Sequence, residues 1–408
     1  MNREECLRLD AEDSLAKWRA EFAVPEGVIY LDGNSLGPQP KQAVEYVSEA
    51  LKQWQSGLVR SWNSAGWFDA PARLGKKLAA IIGADPSEVI VTDSMSVNLF
   101  KLLVAALRIQ LNRRTIVTEV GSFPSDLYIA QSVIRFFPDS TIRAVDADKV
   151  LEAIGTDTAV VYLSHVDFRT AHMHDIVSIN QRAHQCGALV LWNLAHSAGA
   201  MPLHLSQTET DMAVGCGYKY LNGGPGAPAF AHVANRHQPM LDQPLSGWFG
   251  HQRPFDFLPD YQPADGMRQL LCGTPPILAY AALEASLDQF LTVDLELVRR
   301  KSTAMTQLFI DLVEQQSSHH ELRLCSPRQS DRRGSHITLS HESGYSVVQA
   351  MIAERVIGDF RAPDLMRFGI TPLYLRYVDI WDAVATLTRI LDDETWRRPE
   401  YQQGNTVT

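Results

Sequence analysis

The sequence predicts an α/β protein in which helices flank a mostly parallel central sheet, followed by a smaller α+β C-terminal domain. From about residue 85 to residue 232, short apolar runs alternate with amphipathic helical patterns, which is typical of a parallel sheet covered by helices. From about residue 296 the pattern becomes helix, strand, helix, strand, helix, which favours a separate small domain. With 408 residues, 45% of them hydrophobic, the chain can bury a large core.

We expect three parts. Residues 1–65 form an N-terminal segment that contributes to the small domain, residues 66–290 form the large domain, and residues 291–408 form the C-terminal small domain. A stretch rich in proline and glycine, 238–273, predicts long loops, and Pro276 begins a long helix.

The elements of the large domain follow from their apolar spacing. An extended segment at 28–32 precedes helices predicted at 41–55 and 70–82, and the most apolar helical pattern, 97–107, is expected to lie deep in the core. The strands are predicted at residues 88–92, 115–119, 159–164, 188–193, 211–216 and 227–232.

Charge and composition exclude several classes of protein. The formal net charge is -10 and no block of Lys and Arg is present, which argues against a nucleic-acid surface. No apolar run approaches the roughly 20 residues of a membrane span, and the first residues lack the apolar core of a signal peptide. We therefore expect a cytoplasmic protein whose partners are small molecules or its own copies. The five cysteines are odd in number and form no CxxC pair, which indicates neither a disulfide framework nor a metal site.

The most informative segment surrounds Lys219. Residues 217–226 read GYKYLNGGPG and come just after the apolar run 212–214. A lysine among these turn-forming residues has no solvated helix face, and the glycines let backbone approach it closely. It is therefore expected to be a reactive amine held in a pocket. Such a setting is typical of a Schiff-base lysine.

Polar residues follow two further predicted strands. In open α/β sheets, ligands bind beyond the carboxyl ends of the strands. Ser94 and Ser96 lie where a strand leads into the apolar helix, a place that favours a phosphate, although either serine alone reads as an ordinary helix N-cap. Phe123 offers a stacking face after the next strand, but with Pro124 and Asp126 it equally fits a plain helix start.

Two more polar residues follow the strand predicted at 188–193. Asn193 ends this strand, and His196 lies in the turn that leaves it. A lone histidine after a strand is more often structural than catalytic. Together with Lys219 and the predicted phosphate site, however, these residues predict one cofactor site at the sheet edge.

This combination resembles the fold-type-I pyridoxal-phosphate enzymes and, more specifically, the kynureninase family. Six segments resemble that family in its own order, and weaker similarity continues to Arg367 and residues 372–374, so the resemblance covers nearly the whole chain. The six segments are residues 30–37 (YLDGNSLG), 60–67 (RSWNSAGW), 96–99 (SVNL), 123–126 (FPSD), 195–200 (AHSAGA) and 218–226 (YKYLNGGPG).

The resemblance implies an activity, a cofactor and an assembly. The activity is the hydrolytic Cβ–Cγ cleavage of L-kynurenine, and of 3-hydroxy-L-kynurenine as a second substrate, to anthranilate or 3-hydroxyanthranilate and L-alanine in tryptophan degradation. The cofactor is pyridoxal 5'-phosphate, bound by the large domain. The assembly is a homodimer with active sites at the interface.

The resemblance also implies residue roles. Lys219 attaches the cofactor covalently and takes the substrate α-proton, and Tyr218 relays protons near the carbonyl. The implied cofactor-binding residues are Met95, Ser96, Phe123, Pro124, Ser125, Asp126, Ser164, Asn193, His196, Tyr218, Lys219, Trp248 and Thr274, of which Trp248 and Thr274 reach the phosphate across the dimer interface. The implied substrate-binding residues are Asn34, Ser35, Trp62 and Arg367. Without the resemblance, Arg367 reads as a surface ion pair and Trp62 as a core residue.

One departure from the family bears on the chemistry. Where kynureninases carry an aspartate that pairs with the protonated pyridine nitrogen, this chain has Asn193. At ~3 Å such a pair is worth about 5 kcal/mol, and a neutral amide cannot supply it. Asp167 falls where many similar bacterial chains have asparagine, so the carboxylate and the amide could have exchanged places. Met95, often threonine in similar chains, is a milder departure because Ser96 follows it.

Two other classes of function stay open at this point. A related pyridoxal-phosphate lyase or aminotransferase needs the same Lys219 and Arg367, although Trp62 and the Asn34 loop argue against it. A cofactor-binding protein with little catalysis is favoured by Asn193 alone. Release of alanine from kynurenine separates the first class from a kynureninase, and cofactor binding without turnover is the sign of the second.

Overall fold

A computed structural model describes residues 1–404, which divide into two compact units. Unit 1 comprises Met1–Lys41, Val166–Met173 and the chain from Val293 onward. Unit 2 comprises Gln42–His165 and His174–Thr292.

The bounds of the regular elements are as follows. The α-helices are α1 Arg3–Ala11, α2 Ala43–Gly57, α3 Ser61–Ser64, α4 Ala70–Ile82, α5 Met95–Ile109, α6 Pro124–Ile134, α7 Val150–Ala153, α8 Ile176–Gln185, α9 Ile277–Phe290, α10 Leu295–Gln316, α11 Gly344–Ala353 and α12 Tyr377–Asp392. The strands are β1 Ile29–Tyr30, β2 Val89–Val91, β3 Thr115–Glu119, β4 Thr141–Val145, β5 Thr158–Ser164, β6 Leu189–Asn193, β7 Met212–Cys216, β8 Ala229–Val233, β9 Arg323–Leu324, β10 His336–Ser340, β11 Val356–Ile357, β12 Asp359–Arg361 and β13 Leu365–Gly369.

Unit 2 is built on a mixed sheet with the strand order β2-β8-β7-β6-β5-β3-β4. Strand β8 runs antiparallel to its neighbours β2 and β7, and the other pairs are parallel. The inner strands are buried on both faces, so they read as continuous apolar runs. The prediction of a mostly parallel sheet flanked by helices is therefore confirmed.

Helices α4 and α5 show how the sequence fixes the packing of unit 2. Helix α4 ends at Gly83, whose φ of +66° gives the left-handed cap that favours glycine. A Cβ on Gly75 would lie 2.3 Å from the Val89 carbonyl oxygen, so only glycine lets α4 approach β2 this closely. Helix α5 is apolar on nearly all sides because it lies deep in the core cluster, as its sequence predicts.

Unit 1 contains an antiparallel sheet with the order β12-β13-β10-β9 and a short parallel pair of β1 and β11. Helices α10 and α12 pack together, and α11 packs on β12 and β13. The α+β character expected for the C-terminal part is confirmed. The first 41 residues and the 166–173 hairpin join the same unit.

Two expectations differ from the structure. Strand β4 was not predicted, because its residues alternate between exposed and half-buried at the end of the sheet order and form no apolar run. The N-terminal segment was predicted to extend to residue 65, whereas the structure ends it at Lys41. The physical reason is that α2 packs against α9 within unit 2, where the Tyr46 hydroxyl donates to Asp288 Oδ2 at 2.8 Å.

Two further properties concern the residues that the structure describes. Among residues 1–404, no helix combines the length and the apolar character that a membrane crossing needs. The five cysteines have free thiols, of which Cys6, Cys186 and Cys216 are buried.

Candidate active site

The parallel strands of unit 2 bring their carboxyl ends to one edge of the sheet. Ser164 on β5 pairs in register with Asn193 on β6, which in turn pairs with Val214 on β7. The chain leaves β6 next to β7, since the Leu194 amide donates to the Val214 carbonyl at 2.8 Å. The residues that follow these strands therefore start from a common level, as predicted from the rule for open α/β sheets.

The N-terminus of α5 forms one wall of this edge. Ser94 is the N-cap and its hydroxyl accepts from the Val97 amide, so the reading of a serine here as an ordinary cap is confirmed for Ser94. Met95 and Ser96 are the first two helical residues, where free N–H groups and the helix dipole favour an anion. The preceding Asp93 has a φ of +50° and binds the buried Lys101 ammonium.

The Asp93–Lys101 ion pair was not predicted from the sequence. Lys101 is fully buried, and its ammonium also donates to the Leu270 carbonyl. A lysine inside the most apolar helix of the chain could have predicted a buried ion pair, because a buried lysine needs a charged partner. The pair anchors the turn that carries Ser94 and Met95.

A cavity of about 340 Å³ opens beside this helix terminus. It lies within the size range of small-molecule sites. Its lining includes the predicted cofactor residues Met95, Tyr218 and Thr274. Gly226 also lines it, with a φ of +72° that favours glycine.

Lys219 follows β7 and contacts a second predicted residue. Its Nζ lies 3.2 Å from His196 Nε2, and His196 is buried. Tyr218 precedes it, and the Lys219 ammonium lies 6.0 Å from the centre of the Tyr218 ring. Burial raises the pKa of Tyr218 well above its ordinary value, so its hydroxyl keeps its proton at neutral pH.

Asn193 makes two hydrogen bonds with its side chain. Its Nδ2 donates to Asp126 Oδ2 at 2.9 Å, and its Oδ1 accepts from the Ala195 amide at 2.9 Å. Both Asn193 and Asp126 are buried. Asp126 comes from the first turn of α6, so this contact joins two chain segments that lie far apart in sequence.

Asp126 is a buried carboxyl group whose contacting partner is a neutral amide. Burial raises its pKa, while the Tyr162 hydroxyl, the Asn193 amide and the positive charge of Lys219 act in the opposite direction. Tyr162 lies close by with its hydroxyl buried and, among the described residues, without a hydrogen-bond partner of standard geometry. Burial, followed by the nearby Asp126 charge, raises the pKa of Tyr162 well above its ordinary value.

Other predicted cofactor residues lie around these groups. Phe123 is the N-cap residue of α6 with 43% of its surface exposed, and Pro124 and Ser125 form the first turn with Asp126. The alternative interpretation of this segment, as an ordinary helix start, is therefore correct. Ser164 is the last residue of β5 and lies level with Asn193.

Trp62 and Trp248 lie in an aromatic group. Trp62 packs edge-on against Trp67 with ring centres 5.9 Å apart, and it also contacts Phe249. Trp248 packs edge-on against Phe249 at 5.0 Å and is partly exposed. Trp62 is packed against the core cluster of unit 2, as expected from the sequence without the family resemblance.

Arg367 lies on β13 in unit 1 and is almost fully buried. Its Nε donates to Asp359 Oδ1 at 2.8 Å and its Nη2 donates to Asp359 Oδ2, since the two residues are direct cross-strand partners. It also donates to the Phe168 carbonyl at 2.6 Å and to Ser35 Oγ at 3.1 Å. The reading of Arg367 as a surface ion pair is therefore wrong, because the pair is buried.

Asp359 and Arg361 are members of this cluster that were not predicted from the sequence. Arg361 Nη2 lies 2.7 Å from Asp359 Oδ2, so two guanidinium groups share one carboxylate. Burial and the neighbouring Asp359 charge raise the pKa of Asp32 to about 7, whereas the two arginines hold the pKa of Asp359 below its ordinary value. Asp359 and Arg361 are two residues apart on β12, so both project from one face of the strand. This spacing could have predicted the charge cluster.

The remaining predicted residues of unit 1 have distinct environments. Asn34 is fully buried, and among the described residues its amide has no hydrogen-bond partner. Ser35 donates to Asp359 Oδ2 at 2.8 Å. Asp167 lies in the hairpin 166–173, where its Oδ1 accepts from the Thr170 hydroxyl and amide. The residue level with Asn193 is Ser164, and the carboxylate that contacts the Asn193 amide is Asp126.

Comparison with known sequences gives full-length matches. The chain is 51% identical over 413 residues to a kynureninase of Pseudomonas fluorescens and to a kynureninase of Burkholderia pseudomallei. Each match covers 100% of this chain and 99% of the relative. A family model described as the kynureninase C-terminal domain matches residues 298–387.

Comparison with solved structures supports the fold. The cysteine desulfurase CsdA from Escherichia coli matches with a TM-score of 0.77 and 18% identity, over 93% of this chain and 98% of its own. A cysteine desulfurase from Thermococcus onnurineus matches with a TM-score of 0.78 and 16% identity, over 93% and 97%. A C-DES variant with glycine covalently linked to its PLP cofactor matches with a TM-score of 0.77 and 18% identity, over 91% and 98%. At these identities the likeness concerns the fold alone.

Proposed function

The chain belongs to the kynureninase family, and from this premise we propose that it hydrolyses L-kynurenine to anthranilate and L-alanine with pyridoxal 5'-phosphate as cofactor. The observation that carries the proposal is the 51% identity to curated kynureninases over the full length of both chains. Cleavage of 3-hydroxy-L-kynurenine stays a prediction. The two rival functions lack a comparable observation.

The residues present fit this cofactor. A phosphate matches the N-terminus of α5, where Met95 and Ser96 offer amide groups beside a cavity of about 340 Å³. Lys219 supplies the amine that attaches the aldehyde carbon, and Phe123 supplies an exposed aromatic face. When bound, the cofactor withdraws electrons from the substrate and so stabilises negative charge next to the substrate amine.

The chain's own groups hold and move the protons. Lys219 would hold the cofactor, and its free Nζ would accept the proton from the substrate α-carbon. His196, at 3.2 Å from this Nζ, positions it. The Tyr218 hydroxyl is protonated at neutral pH and burial raises its pKa further, so it can donate a hydrogen bond to the carbonyl end of the substrate.

Arg367 is the proposed residue for the substrate α-carboxylate. A guanidinium has five N–H groups, and four hydrogen bonds to Asp359, Phe168 and Ser35 already engage it. One N–H is then left for the substrate unless a bond to Ser35 or Phe168 is exchanged. Asp359 fixes the orientation of the guanidinium. We keep Asn34, Ser35 and Trp62 as proposed substrate residues.

We propose a homodimer as the working assembly. Helix α2 and the residue after it expose apolar side chains on one face, at Val44, Leu51, Trp54 and Leu58, and Val59 beside them is 77% exposed. Exposed apolar patches of this kind mark interaction surfaces. The change Trp54→Glu is expected to shift the protein to monomers in light scattering after size exclusion. A dimer that persists unchanged would remove this face from the interface. The cytoplasmic location stays a prediction.

The direct test of the proposed function uses protein loaded with pyridoxal 5'-phosphate. Adding L-kynurenine should produce anthranilate, read by its fluorescence, together with an equal amount of alanine. Lys219→Ala should lower the turnover by about a thousandfold or more, since it removes the base and the covalent attachment. Bound cofactor without anthranilate would refute the proposal, and release of a keto acid in place of alanine would point to an aminotransferase.

A further inference from the structure

The amide of Asn193 has one orientation that satisfies its surroundings. The Ala195 amide needs an acceptor and receives it from Asn193 Oδ1 at 2.9 Å. The Asp126 carboxylate needs a donor and receives it from Asn193 Nδ2 at 2.9 Å. Rotating the amide by half a turn would put two donors against each other on one side and two acceptors on the other. Since these groups are buried, such a rotation would cost both hydrogen bonds.

This fixed orientation limits what Asn193 can offer the cofactor. Its oxygen is already directed to the backbone, so the side of the amide that faces Asp126 presents N–H groups. A protonated ring nitrogen is itself a donor and cannot pair with an N–H group. Asn193 therefore cannot supply the carboxylate that the family resemblance implies at this position.

Asp126 is the carboxylate that the structure sets beside Asn193. It is buried, the Asn193 amide and the Tyr162 hydroxyl beside it are neutral, and the Asn193 bond takes up part of the accepting capacity of its two oxygens. By contrast, Asp359 in unit 1 is shared by two arginines. Asp126 thus has the charge and the remaining capacity to accept a proton donor that carries positive charge.

Resting on the proposed function, we propose that Asp126, held in place by Asn193, is the carboxylate that pairs with the protonated ring nitrogen of the cofactor in this chain. The negative charge beside the ring nitrogen then comes from the first turn of α6 and not from the end of β6, and Asn193 is a positioning residue for it. The cofactor ring keeps its proton, and with it the capacity to withdraw electrons, although position 193 is neutral.

Asp167 supplies the matched control. The sequence suggested it as the residue that exchanged roles with Asn193, and its Oδ1 accepts three hydrogen bonds within its own turn, from Arg169 N, Thr170 N and Thr170 Oγ1. Asp167→Asn and Asp126→Asn remove the same charge from two buried carboxylates. We expect only the second change to affect the ring nitrogen.

The test is nitrogen magnetic resonance of the protein loaded with pyridoxal 5'-phosphate that carries 15N in the ring, because protonated and unprotonated ring nitrogens have separate chemical shifts. The unmodified protein and Asp167→Asn should show a protonated nitrogen. Asp126→Asn should show an unprotonated one and bind the cofactor about tenfold more weakly or worse. The double variant Asp126→Asn with Asn193→Asp, which returns the charge to β6, should recover the protonated signal.

Three results would overturn the inference. They are an unprotonated nitrogen in the unmodified protein, a protonated nitrogen that survives in Asp126→Asn, and a loss of protonation in Asp167→Asn. The unmodified protein and the double variant still test the inference if Asp126→Asn fails to fold. Failure of the proposed function looks different, because the labelled cofactor would then leave Lys219 unattached or L-kynurenine uncleaved whatever the state of the ring nitrogen.

Discussion

Two buried carboxylates of this protein, Asp359 in unit 1 and Asp126 in unit 2, have opposite electrostatic surroundings. Asp359 pairs with Arg367 across two strands and also with Arg361, and these partners hold its pKa below the ordinary value. Asp126 contacts the neutral amide of Asn193, and burial raises its pKa. Both are almost fully buried.

The surroundings of Asp359 are those of a structural charge, whereas the surroundings of Asp126 are those of a charge that can bind a ligand. A buried ion costs several kcal/mol to desolvate unless partners compensate it. Compensation within the chain, as at Asp359, fixes the geometry of Arg367 whether or not a ligand is present. Incomplete compensation, as at Asp126, leaves the protein with a cost that a cationic ligand can offset. Substitutions at the two clusters should therefore have opposite effects on stability.

The largest effect is expected for Asp359→Asn. It leaves Arg367 buried without its carboxylate and should lower the free energy of unfolding by about 3–5 kcal/mol, measured by urea denaturation. Asp382→Asn is the matched control, because Asp382 also binds an arginine with both oxygens, Arg3, but at the exposed surface. The control should lose far less stability, because an exposed pair stays solvated when it is broken. Equal losses in the two variants would remove the distinction between buried and exposed pairs.

A smaller, pH-dependent effect is expected at Asp32 in the same cluster. The folded protein holds the Asp32 proton up to about pH 7, whereas the unfolded chain releases it near its ordinary pKa of 3.8. Stability is therefore lost as pH rises from about 4 towards 7. Asp32→Asn, which stays neutral, should be more stable than the unmodified protein at pH 8 by up to about 4 kcal/mol and should match it near pH 4. A difference between the two proteins that is independent of pH would contradict this assignment.

The smallest effect has the opposite sign to that of Asp359→Asn. In cofactor-free protein, Asp126→Asn removes a buried charge while its new amide oxygen still accepts from Asn193. Since burial raises the pKa of Asp126, the carboxylate costs stability above its unfolded pKa, and the variant should gain on the order of 1 kcal/mol at pH 8. Thermal unfolding of the two proteins without cofactor measures this gain. Destabilisation would mean that Asp126 is compensated within the chain.

Much of the fold was predictable because its signals are local. Strand β3 and helix α4 have the predicted bounds, since a short apolar run and a helical apolar period define each of them. Strand β4 was missed because it lies at the end of the sheet order and carries no apolar run. The N-terminal boundary was missed because it depends on the packing of α2 on α9, which no local pattern records.

The candidate site likewise contains contacts that the sequence could predict and contacts that it could not. Lys219 and His196 follow neighbouring strands, so the rule for strand ends was sufficient to group them, and the structure places Nζ 3.2 Å from Nε2. The contact between Asp126 and Asn193 joins α6 to β6, and the pairing of Asp359 with Arg367 depends on the register of two strands. Contacts of this kind arise from tertiary packing, so the sequence suggested the departure at Asn193 but not the residue that faces it.

The most direct test of the central claim compares the unmodified protein with Asn193→Asp, both loaded with pyridoxal 5'-phosphate, in the turnover of L-kynurenine read by anthranilate fluorescence. If Asp126 already supplies the carboxylate, the unmodified protein turns over and the second carboxylate changes kcat by less than about tenfold. Negligible turnover in the unmodified protein, together with strong turnover in Asn193→Asp, would contradict the account. In that case the neutral residue at position 193 would have disabled the site.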